Sequence, residues 1–78
     1  MGVPNGLCFV IITTTIGDTE VIVLEGTFPT TNGNLVVVEV LGTTLEIPCP
    51  SVDLEVGITV PVLGDITLVI NAQPVAAQ

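Results

Sequence analysis

The strongest structural signal in this chain is a strict period of two in its hydrophobic residues. In the segment VDLEVGITVPV, a branched apolar residue occupies every second position from Val52 to Val62, and acidic or small residues lie between. Side chains of a β-strand point alternately to its two faces, so this pattern predicts a strand with one buried and one hydrated face. No segment has the 3.6-residue period of an amphipathic helix. The chain is therefore predicted to be all-β.

Short glycine turns divide the alternating segments into hairpins. The sequences TIGDTEVIV, VLGTTLEI and VLGDITLVI each place a glycine, then Asp or Thr, between two β-forming runs. Glycine supplies the positive φ that a tight hairpin turn requires. The pattern predicts a single all-β domain over residues 1–78, a small β-sandwich or barrel of about six short antiparallel strands in three hairpins. The predicted strands are 7–15, 19–27, 34–41, 44–48, 52–62 and 66–71, with a flexible head at 1–6 and a flexible tail at 72–78.

Three segments, LCFVII, VIVL and LVVVEVL, are apolar on both faces of their predicted strands. Such strands are normally covered on both sides. A chain of 78 residues, of which 49% are hydrophobic, has too thin a core to cover them all. If the valine face of LVVVEVL is the domain core, its other face is free to meet another copy of the chain. We therefore predict a subunit interface at Leu35, Val37 and Leu41.

The charge of the chain excludes several classes of partner. There is no Lys, Arg or His, and eight carboxylates give a formal net charge of −8. Because no side chain can neutralise a phosphate, we expect binding neither to nucleic acid nor to an anionic membrane surface. The apolar runs are far shorter than the roughly 20 residues of a membrane-spanning helix, so no membrane insertion is predicted. The expected partner is the chain itself.

The carboxylates have two interpretations. Asp18 with Glu20, and Asp53 with Glu55, are Asp-x-Glu pairs that project to one side of a strand. They form either a hydrated acidic face that keeps an assembly soluble or, alternatively, part of a calcium site, since calcium prefers several carboxylate oxygens. No calcium-loop motif is present, and no other cofactor is predicted.

The residue inventory predicts a protein that is not an enzyme. The chain lacks His, Lys, Arg, Tyr and Trp, and its single serine, Ser51, has no base beside it in the sequence pattern. Paired acids alone lack the aromatic platforms of a sugar site. We expect no catalytic residue and no small-molecule substrate.

The two cysteines, Cys8 and Cys49, leave three alternatives open. They form a disulfide within the chain, which would close a loop of about 40 residues; or they link one copy to the next; or they are two free, buried thiols. Cys49 lies between Pro48 and Pro50, in a connector that is predicted to be extended and exposed.

The sequence points towards the cell exterior. The segment MGVPNGLCFVII has no positively charged region, so it is not a standard secretory signal. The absence of Lys and Arg removes every trypsin-type cleavage site, which favours a protein exposed to a harsh exterior. We expect an extracellular or cell- or spore-surface location without a recognisable signal peptide, reached by cell lysis or after processing.

With its many Val, Thr, Ile and Gly residues, Cys8 near the head and Cys49 in IPCPS, the chain resembles self-assembling all-β subunits of bacterial surface appendages, including the endospore appendages. Those subunits are small sandwich domains that stack into fibres and are cross-linked by cysteines between an amino-terminal arm and neighbouring subunits. The resemblance implies Cys8 and Cys49 as candidates for an intersubunit cross-link, and a lysed mother cell as the route to the surface.

These observations favour a structural function, as the self-assembling subunit of an extracellular or surface filament, tube or coat. Soluble domains commonly guard their sheet edges with lysine, and this chain has none. Two alternatives need the same apolar strands: a small phage or virion decoration protein that forms closed oligomers, and a module that binds another protein through a sheet edge.

Overall fold

Each alternating segment forms a β-strand in the computed structural model, which describes residues 6–31 and 34–75. The prediction of an all-β fold with six antiparallel strands in three hairpins is confirmed. The strands are β1 (Leu7–Ile16), β2 (Thr19–Pro29), β3 (Leu35–Val40), β4 (Thr43–Pro48), β5 (Ser51–Val60) and β6 (Gly64–Val75).

The first and third hairpins join into one antiparallel sheet with the strand order β2-β1-β6-β5. They meet through β1 and β6, whose register runs from Leu7 opposite Val75 to Thr14 opposite Leu68. The second hairpin, β3-β4, is a separate two-stranded sheet. The glycines of all three predicted turns, Gly17, Gly42 and Gly64, have positive φ, as the turn pattern predicted.

The core lies between the β3-β4 hairpin and one face of the four-stranded sheet. Alternate residues of each strand point into it, in agreement with the period of two. Buried even-numbered residues of β1 and β6 pack in one core with the valine face of β3. The buried hydrophobic residues of this core are Cys8, Val10, Ile12, Val36, Val38, Val40, Leu45, Ile47, Cys49, Ile58, Leu68, Ile70 and Ala72. The fold is thus a small two-layer sandwich.

The four-stranded sheet is longer than the hairpin that covers it. Its strands have 10 to 12 residues, whereas β3 and β4 have six each. Thr14 is 3% exposed and donates a 2.7 Å hydrogen bond from its hydroxyl to the Thr67 carbonyl oxygen, but Ile16, two residues on, is 50% exposed. The molecule measures 48 × 20 × 15 Å. We call the end that carries Cys8 and Cys49 the disulfide end, and the end that carries the turns at 17–18 and 61–63 the distal end.

The prediction of a flexible tail is wrong for residues 72–75. They continue β6: Ala72 is fully buried and Pro74 pairs with Cys8 of β1. Residues 76–78, and residues 1–5 of the predicted head, lie outside the described residues. Gly6 is held in place, since its carbonyl oxygen accepts a 2.9 Å hydrogen bond from the Thr30 N–H.

The even-numbered residues of 52–62 were predicted to form one buried face. This prediction is correct for residues 54–60, whose even-numbered side chains are buried or half-buried, and wrong for Val52 and Val62. A register shift separates Ser51 from Leu54, and Asp53 there has a φ of 50°. The Asp53 N–H donates a 2.9 Å hydrogen bond to Oδ1 of Asn71, which fixes this bulge. Val52 is consequently turned outward and is 78% exposed. Val62 belongs to the turn after β5 instead of to the strand.

Candidate functional site

The two cysteines form a disulfide within the chain. Cys8 of β1 and Cys49, which follows β4, are 41 residues apart in sequence, and their Cα atoms are 6.5 Å apart. Both point into the core because each continues the inward alternation of its strand, and they are 0% and 6% exposed. Of the three alternatives, the internal bond is the one present. The intersubunit cross-link and the pair of free thiols are wrong, since both sulfur atoms are already joined.

The predicted interface residues lie on the outer side of the β3-β4 hairpin. Val37 is 52% exposed, Leu41 is 44% exposed, and Leu35 is half-buried. Leu35 and Val37 point outward because their neighbours in β3 fill the core. Leu41 is in the turn after β3, with a φ of 51°, so the turn and not the strand alternation exposes it. Glu39 and Glu46 share this outer face.

The edges of the four-stranded sheet are β2 and β5. Within the described residues neither has a hydrogen-bonded strand on its outer side. Val21 and Ile22 of β2, from the segment expected to be covered on both faces, are 39% and 58% exposed. Each edge strand contains one irregularity, near Val23 in β2 and near Val52 in β5. A regular stretch remains in each strand, from Leu24 to Pro29 and from Leu54 to Val60.

All eight carboxylates are exposed. The Asp-x-Glu pairs do not converge with other ligands, and no group of three or more Asp, Glu, Cys or His side chains able to hold a metal occurs in residues 6–31 and 34–75. Two carboxylates have partners: Asp65 accepts a 2.7 Å hydrogen bond from the Thr59 hydroxyl, and Asp53 accepts a 3.3 Å bond from the Asn71 amide. The Ser51 hydroxyl donates to the Pro48 carbonyl oxygen.

Two features were missed in the sequence analysis. A groove of about 170 Å³ opens at the disulfide end, where the ends of β1, β2, β3, β4 and β6 meet. At the distal end, Val62 is fully exposed at a φ of 77°, and Leu63 beside it is 56% exposed. The groove has no local sequence signal, because it is assembled from five separate segments. The turn had one: the run VPVLG has no polar side chain to place in water.

Comparison of the chain with protein-family models, with curated proteins and with solved structures finds no match. No helix among the described residues is long and apolar enough to cross a membrane. The disulfide is a feature typical of proteins in oxidising surroundings outside the cytoplasm.

Proposed function

We propose that this protein is a self-assembling structural subunit of a filament, tube or coat at the surface of a cell or spore. The observation that carries the proposal is the pair of long sheet edges, β2 and β5, whose outer sides no strand of residues 6–31 and 34–75 covers, on a chain that has no Lys to guard them. The partner is a second copy of the same chain, and the contact is strand addition.

The direction of the strands favours growth in one direction. Four successive antiparallel strands place β2 and β5 antiparallel to each other at opposite edges. When a second copy is placed beside the first without being turned over, its β2 therefore lies antiparallel to β5 of the first copy. This contact joins two different surfaces, so it repeats without closing unless the rotation between copies completes a ring. We call subunits joined in this way a row.

The second layer is arranged to extend in the same direction. β3 contacts β2, which it follows in the chain, and β4 contacts β5, which it precedes. From these contacts we infer that β3 lies on the β2 side of the molecule and β4 on the β5 side. A neighbour that adds its β2 to β5 therefore brings its β3 towards β4. Each contact continues both layers of the sandwich, so apolar strands that one chain leaves uncovered gain neighbours.

The exposed apolar residues give this contact a driving force. Among the described residues, ten large hydrophobic side chains are exposed, and Val21 and Ile22 belong to the β2 edge itself. Fully burying such a side chain contributes about 1.5–3 kcal/mol before the costs of association. Each backbone hydrogen bond across the edge adds about 0.5–1.5 kcal/mol.

Electron microscopy of the purified, non-reduced protein tests the proposal. We expect long regular fibres, tubes or sheets. Strictly monomeric protein would contradict the proposal. Closed rings or isolated particles would favour the alternative of a phage or virion decoration protein. A monomer that captures one defined protein through its sheet edge would favour the alternative of a binding module.

A matched pair of variants tests the edge itself. Thr27→Glu adds a carboxylate on the β2 edge, whereas Thr67→Glu adds one on the inner strand β6. Both threonines are exposed, and their side chains lie on the face opposite the core. We expect Thr27→Glu to raise the protein concentration at which assembly begins, because like charges across paired strands repel. Thr67→Glu, with the same net charge, should assemble nearly as the parent does. Equal effects of the two variants would argue against edge pairing.

A further inference from the structure

The groove of about 170 Å³ at the disulfide end has an uncharged lining among the described residues. It consists of Gly6, Leu7, Thr30, Asn34, Cys49, Pro50, Pro74 and Val75. The nearest acidic residues before Cys49 and after Pro50 in the sequence, Glu46 and Asp53, are not part of it. A copy with eight carboxylates and no cationic side chain approaches another copy at the lowest cost where neither buries an unpaired charge. The groove is such a place.

The distal end carries an exposed apolar projection. The turn between β5 and β6 consists of Pro61, Val62 and Leu63, and the side chain of Val62 is fully exposed. Its φ of 77° is a strained conformation for a β-branched residue. The nearest carboxylate in sequence, Asp65, is held by the Thr59 hydroxyl within the β5-β6 ladder. The projection itself, residues 60–64, is uncharged.

We propose that the Val62–Leu63 turn of one subunit docks into the groove at the disulfide end of a subunit in a neighbouring row. This inference rests on the proposed self-assembly and adds a second contact that joins rows side by side. The groove is concave and the turn is convex, whereas two disulfide ends placed together would leave a void. An apolar cavity of about 150 Å³ binds a benzene-sized group, so a groove of about 170 Å³ has room for one aliphatic side chain.

The charge distribution favours a second copy as the occupant. A basic or acidic partner finds no complementary charge in the lining, and the turn has none to offer. Residues 60–64 of a second copy are uncharged and carry two adjacent exposed hydrophobic side chains. Leu41 stands alone in its turn, and the turn at 17–18 contains Asp18.

The test is electron microscopy of variants under conditions in which the parent assembles. Val62→Ser is compared with Val37→Ser, which changes another exposed valine, on the outer face of β3 and away from the turn, the groove and the sheet edges. We expect Val62→Ser to form single rows about as wide as the 48 Å length of one subunit, and Val37→Ser, above its own onset concentration, to form the wider parent assemblies. A parent width that Val62→Ser leaves unchanged would overturn the inference while leaving edge pairing intact. A parent that does not assemble would overturn both.

Three further variants identify the role and the occupant. Val62→Gly removes the side chain and the backbone strain together. It should therefore raise the unfolding temperature of the dispersed subunit while abolishing side-by-side association of rows. A lowered unfolding temperature would indicate that Val62 acts within the fold instead.

Leu63→Glu should separate the rows, because it places a carboxylate on the docking turn. Adding Val75→Lys in the groove should restore the association of rows. Failure of this restoration would count against the pairing of the turn with the groove.

A variant that lacks residues 1–5 should form assemblies of the parent width. Loss of that width would assign the groove to the chain's own amino-terminal segment.

Discussion

Val37 and Val38 are neighbours in β3, yet Val38 is 5% exposed in the core and Val37 is 52% exposed on the outer face of the hairpin. Val38 therefore contributes to the stability of the single subunit, whereas the side chain of Val37 is available for contact with another subunit. The same substitution at the two positions therefore has different expected outcomes.

Val38→Ala should lower the free energy of unfolding of the dispersed subunit by about 2–3 kcal/mol, because it leaves a cavity between the two layers. Val37→Ala should change that free energy by less than about 0.5 kcal/mol, as is usual at an exposed site. If the outer face contacts another copy, Val37→Ala should raise the protein concentration at which assembly begins by about fivefold, the equivalent of roughly 1 kcal/mol. Denaturant titration and light scattering measure the two effects. An unchanged onset for Val37→Ala would remove this face from the interface.

The disulfide should act on stability and not on subunit linkage. Replacing both Cys8 and Cys49 by Ala should lower the free energy of unfolding by about 4 kcal/mol, because the bond closes a loop of about 40 residues in the unfolded chain. Assembled protein boiled in denaturant without reductant should run as a monomer on a gel. A ladder of dimers and trimers that reductant removes would contradict the intramolecular assignment.

The buried hydroxyl of Thr14 should stabilise the junction between β1 and β6. Thr14→Val keeps the shape of the side chain but removes the 2.7 Å hydrogen bond to the Thr67 carbonyl oxygen. We expect a loss of about 0.5–1.5 kcal/mol in the free energy of unfolding. Thr14→Ser keeps the hydroxyl and removes a methyl group, so the two variants separate hydrogen bonding from packing. A Thr14→Val protein as stable as the parent would show that the hydroxyl contributes nothing.

Assembly should depend on salt. Glu25 pairs with Ile11 and Glu55 with Val69, so both glutamates lie on the face opposite the core, one on each edge strand. When β5 meets the β2 of a neighbour, like charges come together, and salt screens them over about 10 Å at 0.1 M. Raising the ionic strength should therefore lower the protein concentration at which assembly begins. The variant with Glu25→Gln and Glu55→Gln should assemble at lower salt and respond less to added salt. Assembly that weakens as salt is added would contradict this account.

The sequence predicted the elements of the fold well, because each depends on neighbouring residues. The valine face of β3 was the expected core side and is buried, and glycines marked the turns. The tail was misjudged because its uncharged sequence was taken as flexible, whereas residues 72–75 continue β6 and include Pro74. Proline is tolerated there because β5 pairs with β6 only as far as Ala72, opposite Ser51, so Pro74 has a strand on one side alone.

The remaining features depend on residues that are distant in sequence. The outward turn of Val52 follows from a hydrogen bond between Asp53 and Asn71, which are 18 residues apart. The pairing of Cys8 with Cys49 required the position of the hairpin over β1, which local patterns do not contain. The groove requires five segments to meet at one end, so only the folded chain reveals it.

The orientation and repeat of the strands in assembled protein test edge pairing most directly. Fibre diffraction from aligned assemblies should give a reflection at about 4.7–4.9 Å along the axis of the rows, because strands stack in that direction. Four strands for each subunit predict a rise of about 19 Å from one subunit to the next, the product of that spacing and the strand number. A strand reflection perpendicular to the assembly axis, with a repeat near 48 Å along that axis and no 19 Å repeat, would show that end-to-end contacts build the assembly without edge pairing and would contradict the account.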